Sequence, residues 1–237
     1  MQYNRIVLNE PHASLEGLYD KRLSGWNIDD RFLNEVVLHL TDWHTDYLFH
    51  EFSHPNIKTV RFPFSRFIVD AERLWNDPME SIGQGIIYRY FDDYQRKLTE
   101  SQELTLNNIW ISHQDKLKKN LCEDALLLDC HSFPEDKGDV DVCIGFNEDW
   151  SKPSTELLNY TFNLFTGNGY SVGINSPYSN SEAPECPFKY HSMMIEINKR
   201  VYLEPRSIYL KTNYEQKKSI RDVIGQLIRT IISSQQK

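Results

Sequence analysis

The sequence lacks an excess of positive charge, a cysteine framework and any long apolar run, and each shortage removes a class of protein. Lys and Arg number 26 against 34 Asp and Glu, for a net charge of −8. Nucleic acid is therefore not expected as the main partner, because phosphate binding needs a basic patch. No stretch approaches the roughly 18 consecutive apolar residues that span a bilayer, so no membrane partner is expected either. The first residues, MQYNRIVLNEPHASLEG, lack the basic start and apolar core of a signal peptide, which makes a cytoplasmic location the expectation. The four cysteines, Cys122, Cys130, Cys143 and Cys186, show no CxxC spacing. That argues against a disulfide framework and against an all-cysteine zinc site. HExxH, GxSxG and the GxGxxG or Walker spacings are missing as well; GNGYSVG is glycine-rich without phosphate-binding spacing.

What is present is a globular composition: 237 residues, 40% apolar, 13% aromatic and 25% charged. A chain of this length can bury a sizeable core. No repeat, low-complexity block or Gly/Ser linker divides it, so residues 1–237 read as a single domain. RIVLNEPH reads as a short strand ending in a proline turn. IKTVRFPFSRFIVD reads as one or two strands, being rich in β-branched and aromatic residues. ALLLDCHSF, DVDVCIGF, SVGIN and HSMMIEINKRVY are further strand candidates. Helical patterns fall in RFLNEVVLHLTDWHTDYLFHEF, with a possible break near Asp42 and Thr45, in DDYQRKLTESQELTLNNIWISHQDKLKKNLCED, and in SKPSTELLNYTFNLFTGNGY. At the C-terminus Ile220, Val223, Ile224, Leu227, Ile228 and Ile231 recur at steps of three and four. That stripe predicts an amphipathic helix over about 213–234 docked on the sheet. Strands separated by helices predict an α/β fold, with any site at the carboxyl ends of strands.

Four short stretches carry polar residues in or just past a predicted strand: PHAS, FSRFIVDAER, LDCHSF and MMIEINK. Together they contain the parts of a metal hydrolase, namely imidazoles and carboxylates for the ion, a carboxylate to move protons, and cations for an anionic substrate. Each also has a plain structural reading. His12 can be a hydrogen-bonding loop residue, and His131 a satisfied histidine at the edge of a core. Glu196, flanked by Met193, Met194, Ile195 and Ile197, must pair, bind metal or take a raised pKa. Arg66 and Arg73 can be structural ion-pair partners of the nearby acids. A Ser132–His131 nucleophile pair is disfavoured, since adjacent strand residues point to opposite faces.

The order PHAS, TDWHTDYLF, FSRFIVDAER, DCHSFP, DVCIG, INSPYS and MMIEINKRVYL resembles the N-formylglutamate amidohydrolase family, from about residue 6 to 204. The family is similar in fold to zinc carboxypeptidases and aspartoacylase-like deacylases. The resemblance implies a three-layer α/β/α fold with a mixed, largely parallel sheet. It also implies one zinc ion per chain (other divalent ions being accepted by the same ligand types). His12 and His131 match the metal histidines, and Asp42, with Asp46 next and Glu16 as a competitor, is the expected third ligand. Glu196 matches the general base. Arg66 and Arg73 would clamp substrate carboxylates, with Asp70 orienting one of them, and Asn175 and Tyr178 would line the pocket; strand alternation puts Asp129 on the face of His131, as its expected supporting partner. Two departures stand out: Glu72, where many relatives have Asn, and Asn180, where the pattern has Gly.

The expectation is thus a zinc-dependent amidohydrolase acting on a small anionic N-acyl amino acid, first N-formyl-L-glutamate, yielding formate and glutamate. The alternatives are a carboxypeptidase or another N-acyl amino acid deacylase on the same metal site, and a catalytically silent protein that binds an acidic ligand.

Overall fold

The computed structural model describes residues 3–50, 53–204 and 211–233. In chain order the strands are β1 (Arg5–Glu10), β2 (Ile57–Arg61), β3 (Tyr90–Phe91), β4 (Tyr94–Gln95), β5 (Ala125–Phe133), β6 (Val142–Gly145), β7 (Val172–Ile174) and β8 (His191–Asn198). The helices are α1 (Leu38–Leu40, preceded by a π-helical turn Phe32–Val37), α2 (Thr45–Leu48), α3 (Glu100–Asn120), α4 (Thr155–Gly167) and α5 (Tyr214–Ser233). The chain divides into two compact units, residues 1–10, 43–60 and 118–237 (unit 1), and residues 11–42 and 61–117 (unit 2).

Unit 1 carries a six-stranded sheet in the order β2-β1-β5-β8-β6-β7. The pairs β1/β5, β5/β8 and β6/β7 are parallel and β6/β8 is antiparallel, so the fold is of the expected α/β class with a mixed, mostly parallel sheet. All nine residues of β5 are buried, as a strand with no solvent face must be. Alternation sorts them. Leu126, Leu128 and Cys130 join Ile6, Leu8, Met193, Ile195 and Ile197 in an aliphatic core, which is completed by Leu157 and Phe165 of α4 and by the α5 stripe. Every residue of the predicted stripe is buried, and α5 ends at Ser233 among the described residues; residue 234 of the predicted span lies outside them. Asp129, His131 and Phe133 take the opposite face of β5.

Unit 2 has an aromatic core, with Trp26, Phe32, Phe62, Phe67, Tyr88 and Trp110 among its buried members. Two expectations fail here. FPFSRFIVD is not a strand: β2 ends at Arg61, and residues 62–73 fold in turns. The amides of Ile68 and Val69 both bond to Ser65 O, and the Phe67 amide to Ser65 Oγ, local bonds that compete with a ladder. Phe67, Ile68 and Val69 are consecutive and fully buried, without the period of two a half-buried strand requires. The expected helix from Asp92 begins only at Glu100. Residues 92–95 instead form the turn and second strand of the β3/β4 hairpin, and Thr99 with Gln102 makes a reciprocal capping box that fixes the start. The predicted break after α1 is present, and the last residues of that helical pattern, 51 and 52, lie outside the described residues. No helix among the described residues is long and apolar enough to cross a membrane.

Candidate active site

In unit 1 the parallel strands β1, β5 and β8 lie side by side, and polar residues gather at their carboxyl ends. The register pairs Asn9 with Asp129 and His131 with Glu196. Register partners on neighbouring strands share a face, so Asn9, Asp129, His131 and Glu196 all project on the face opposite the α4/α5 core. His131 Nε2 lies 3.1 Å from Asp129 Oδ1. Asn9 Nδ2 donates to Asp129 (2.9 Å) and to Glu182 (2.8 Å), and the Glu182 amide donates to the second Asp129 oxygen. Burial raises the Asp129 pKa, but His131, the Glu182 amide and Asn9 outweigh it and hold this carboxylate below its usual range. A charged Asp129 is thus a buried counter-charge beside the His131 ring. Glu196 is 8% exposed, within its apolar run.

Cys130 faces the aliphatic core. Burial, aided by the charges of Glu10 and Asp129, pushes its thiol well above the usual range, so it is packing and not a nucleophile. Ser132, next after His131, is buried and points to the opposite face.

Asn175 and Tyr178 occupy the loop after β7. The Asn175 side chain accepts the Phe146 amide, and the Tyr178 ring packs edge-on against Phe133. Asn180 has φ 73°, a left-handed conformation that asparagine tolerates, so the loop keeps the backbone a glycine would give. Asp46 is exposed in the first turn of α2.

In unit 2 the organising group is Asp70, fully buried in the turn segment. His12 Nε2 lies 2.8 Å from Asp70 Oδ1, while Arg66 (3.0 Å) and the Tyr88 hydroxyl bond to Oδ2. Arg73 Nε stands 3.9 Å from the same oxygen, and the Arg73 carbonyl is held by the Trp110 indole. Burial opposes the charge on Asp70, but Arg66, His12 and Arg73 prevail and hold its pKa well below the usual range. Burial and the Arg66 charge pull the His12 pKa down; Asp70 and Asp42 outweigh them, and it is raised.

With Nε2 on Asp70, His12 turns Nδ1 toward two further carboxylates, Asp42 at 3.7 Å and Glu72 at 3.9 Å. Both distances exceed a hydrogen bond and suit ligands that share a cation. His12, Asp70 and Glu72 offer ligand atoms within 4.8 Å of one another, a group able to hold a metal ion in which the first two are buried and Glu72 is partly so. Asp42 is buried, with its amide bonded to His12 O; Glu16 is exposed. Among the described residues, Nε of Arg66 and Nε of Arg73 are buried without a hydrogen-bond partner.

Three residues of these networks, Asn9, Glu182 and Tyr88, are not among the candidates the sequence offers. Asn9 has a usable signal, being a polar residue inside a buried strand one position before Glu10 and the proline turn; Glu182 and Tyr88 have none.

The family model for N-formylglutamate amidohydrolase matches residues 4–203. Among solved structures, N-formylglutamate amidohydrolase from Ralstonia eutropha JMP134 is similar at TM-score 0.76 and 19% identity, over 98% of this chain and 94% of that one. A gene product of Agrobacterium tumefaciens follows at TM-score 0.63 and 16% identity, over 97% and 90%. At these identities the two structures speak for the fold. No curated protein sequence matches. With a family match that spans most of its length, the chain belongs to the N-formylglutamate amidohydrolase family, and so among the hydrolases of amide bonds.

Proposed function

We propose that the protein is a zinc-dependent amidohydrolase that cleaves a small N-acyl amino acid, with N-formyl-L-glutamate as the first compound to test. One juxtaposition carries the reading: in a chain of this family, Glu196 is the lateral neighbour of His131 on adjoining parallel strands. His12, Asp42 and His131 are the proposed ligands of the ion. Asp42 is preferred to Asp46 because it is buried and faces His12, whereas Asp46 is exposed. When bound, the ion supplies Lewis-acid chemistry, polarising the amide carbonyl and making water more acidic. Asp70 holds Nε2 of His12 and turns its Nδ1 toward Asp42, and Asp129 stands 3.1 Å from Nε2 of His131 as its counter-charge.

Glu196 takes the proton of the attacking water and delivers it to the amine nitrogen as the carbon–nitrogen bond breaks. The products are a carboxylic acid (formate for an N-formyl compound) and the free amino acid. Arg66 and Arg73 bind the substrate carboxylate through their guanidinium groups. Tyr178 and Asn175 border the substrate from the loop after β7.

The test is formate release by zinc-loaded protein, with metal content measured alongside. Glu196→Gln is expected to lower kcat about 10²–10⁴-fold with zinc retained. Failure to release formate or amino acid from any N-acyl amino acid would overturn the proposal. Cleavage of dipeptides without deformylation would favour the carboxypeptidase alternative.

A further inference from the structure

The charge inventory of unit 2 bears on which N-acyl amino acid is cleaved. Two guanidinium groups, Arg66 and Arg73, share the space around His12 with four carboxylates. Asp70 is 2.8 Å from the imidazole, Asp42 3.7 Å and Glu72 3.9 Å, and Asp77 stands 3.6 Å from Arg73. Carboxylates therefore exceed guanidiniums by two. The arginines are not idle cations awaiting a dicarboxylate, since Asp70 already engages Arg66 and Asp77 faces Arg73.

Asp70 and Asp77 already draw on these two guanidinium groups, so their remaining N–H groups must hold any substrate carboxylate against an unfavourable charge balance. Glu72 is the most exposed of the four acids, with a side chain 26% accessible. Its amide donates to Asp70 Oδ1, which pins the residue beside the clamp. It is close enough to act on both guanidinium groups. A second substrate carboxylate entering this space would meet a fixed negative charge, and in a partly buried site such an encounter costs roughly one to two factors of ten in affinity.

We infer that Glu72 selects against a second carboxylate, so that the preferred substrate is an N-acyl amino acid whose only anionic group is its α-carboxylate. The inference rests on the amidohydrolase reading and deepens it. N-formyl-L-glutamine is then a better substrate than N-formyl-L-glutamate, from which it differs by a neutral amide in place of a charge.

The experiment compares kcat/KM for these two compounds on the zinc-loaded protein and on Glu72→Gln, with metal content measured for both. The wild-type protein should favour the glutamine compound at least about tenfold, and the margin should narrow as salt is raised. Glu72→Gln should erase most of it, chiefly by lowering KM for the glutamate compound. Equal or better use of glutamate by the wild type overturns the inference and leaves the amidohydrolase reading standing. So does a Glu72→Gln protein that keeps the wild-type ratio, whether or not it has lost metal. Should Glu72→Gln fail to fold, the wild-type ratio and its salt dependence decide. Hydrolysis of neither compound overturns the amidohydrolase reading itself, and the inference with it.

Discussion

Unit 1 and unit 2 each seat a buried histidine on a buried aspartate, and they build the pair by opposite means. In unit 1, Asp129 and His131 are two residues apart on one strand, so the pleat alone puts them on one face. In unit 2, His12 and Asp70 are 58 residues apart and neither lies on a strand. Their alignment depends on side chains that grip the backbone of the turns. Trp26 donates to Phe67 O, Trp110 to Arg73 O, Gln114 to Ala71 O, and buried Arg96 to Leu23 O, Ser24 O and Ile68 O. A sheet gives geometry through its regular ladder; a turn-built unit must obtain it from specific polar contacts. The first should tolerate conservative core changes, and the second should not tolerate loss of a staple.

The sharpest test of that contrast is Asp70→Ala. It leaves Arg66 and His12 without their shared counter-charge in a buried setting, and is expected to cost about 3–5 kcal/mol in urea denaturation. A loss no larger than that of a surface substitution would break the comparison. Arg96→Met comes next. Burial, with the charge of Arg89, lowers the Arg96 pKa to about 9, so it is still a cation at neutral pH. Removing its bonds to three carbonyls should cost about 2–4 kcal/mol by the same measurement. On the other side, Ile195→Val in the aliphatic core of unit 1 should cost only about 1 kcal/mol, with formate release unchanged. A larger effect than Arg96→Met would reverse the ranking of the two units.

The smallest effect is expected at Asp141, in unit 1. Burial acts against its charge, but the Ser171 amide and hydroxyl and the Arg200 guanidinium hold its pKa below the usual range. Its stabilisation is complete above the unfolded-state pKa of about 3.9 and is lost as pH falls through the lower folded value. Asp141→Asn should therefore differ from wild type by a constant margin above about pH 5, closing on acidification. A margin that widens in acid would contradict the assignment.

The same contrast explains how much of the molecule is legible in its sequence. ALLLDCHSF and HSMMIEIN announce buried strands, and alternation by itself puts Asp129 on the face of His131. The α5 stripe is legible for a similar reason, since one apolar face dictates one packing surface. FSRFIVDAER reads wrongly as a strand because β-branched and aromatic residues fill a fully buried turn as readily as a ladder. Within it Arg66, Asp70 and Arg73 stand out only through the family resemblance, and Tyr88, which shares Asp70 with Arg66, does not stand out at all. Glu182 reaches Asn9 across 173 residues of sequence, a separation that no local pattern encodes. The division into two units is equally silent. The chain passes between them at residues 10, 42, 60 and 117, with no linker composition at any crossing.

The order of the sheet has a consequence for the chain during its synthesis. β1 pairs with a strand that begins 115 residues after its own last residue, and β8, made after β6, inserts between β5 and β6. The centre of the sheet therefore cannot close until residue 198 has left the ribosome. Until then β5 and β6 expose the edges that β8 covers, and closure must wait for long loops to be drawn together. Unit 2 ends at residue 117, so all of its sequence is available before the first residue of β5 is made. The sequence of unit 2 is thus complete while the sheet still lacks its central strand, and that interval is when the chain most needs protection from aggregation.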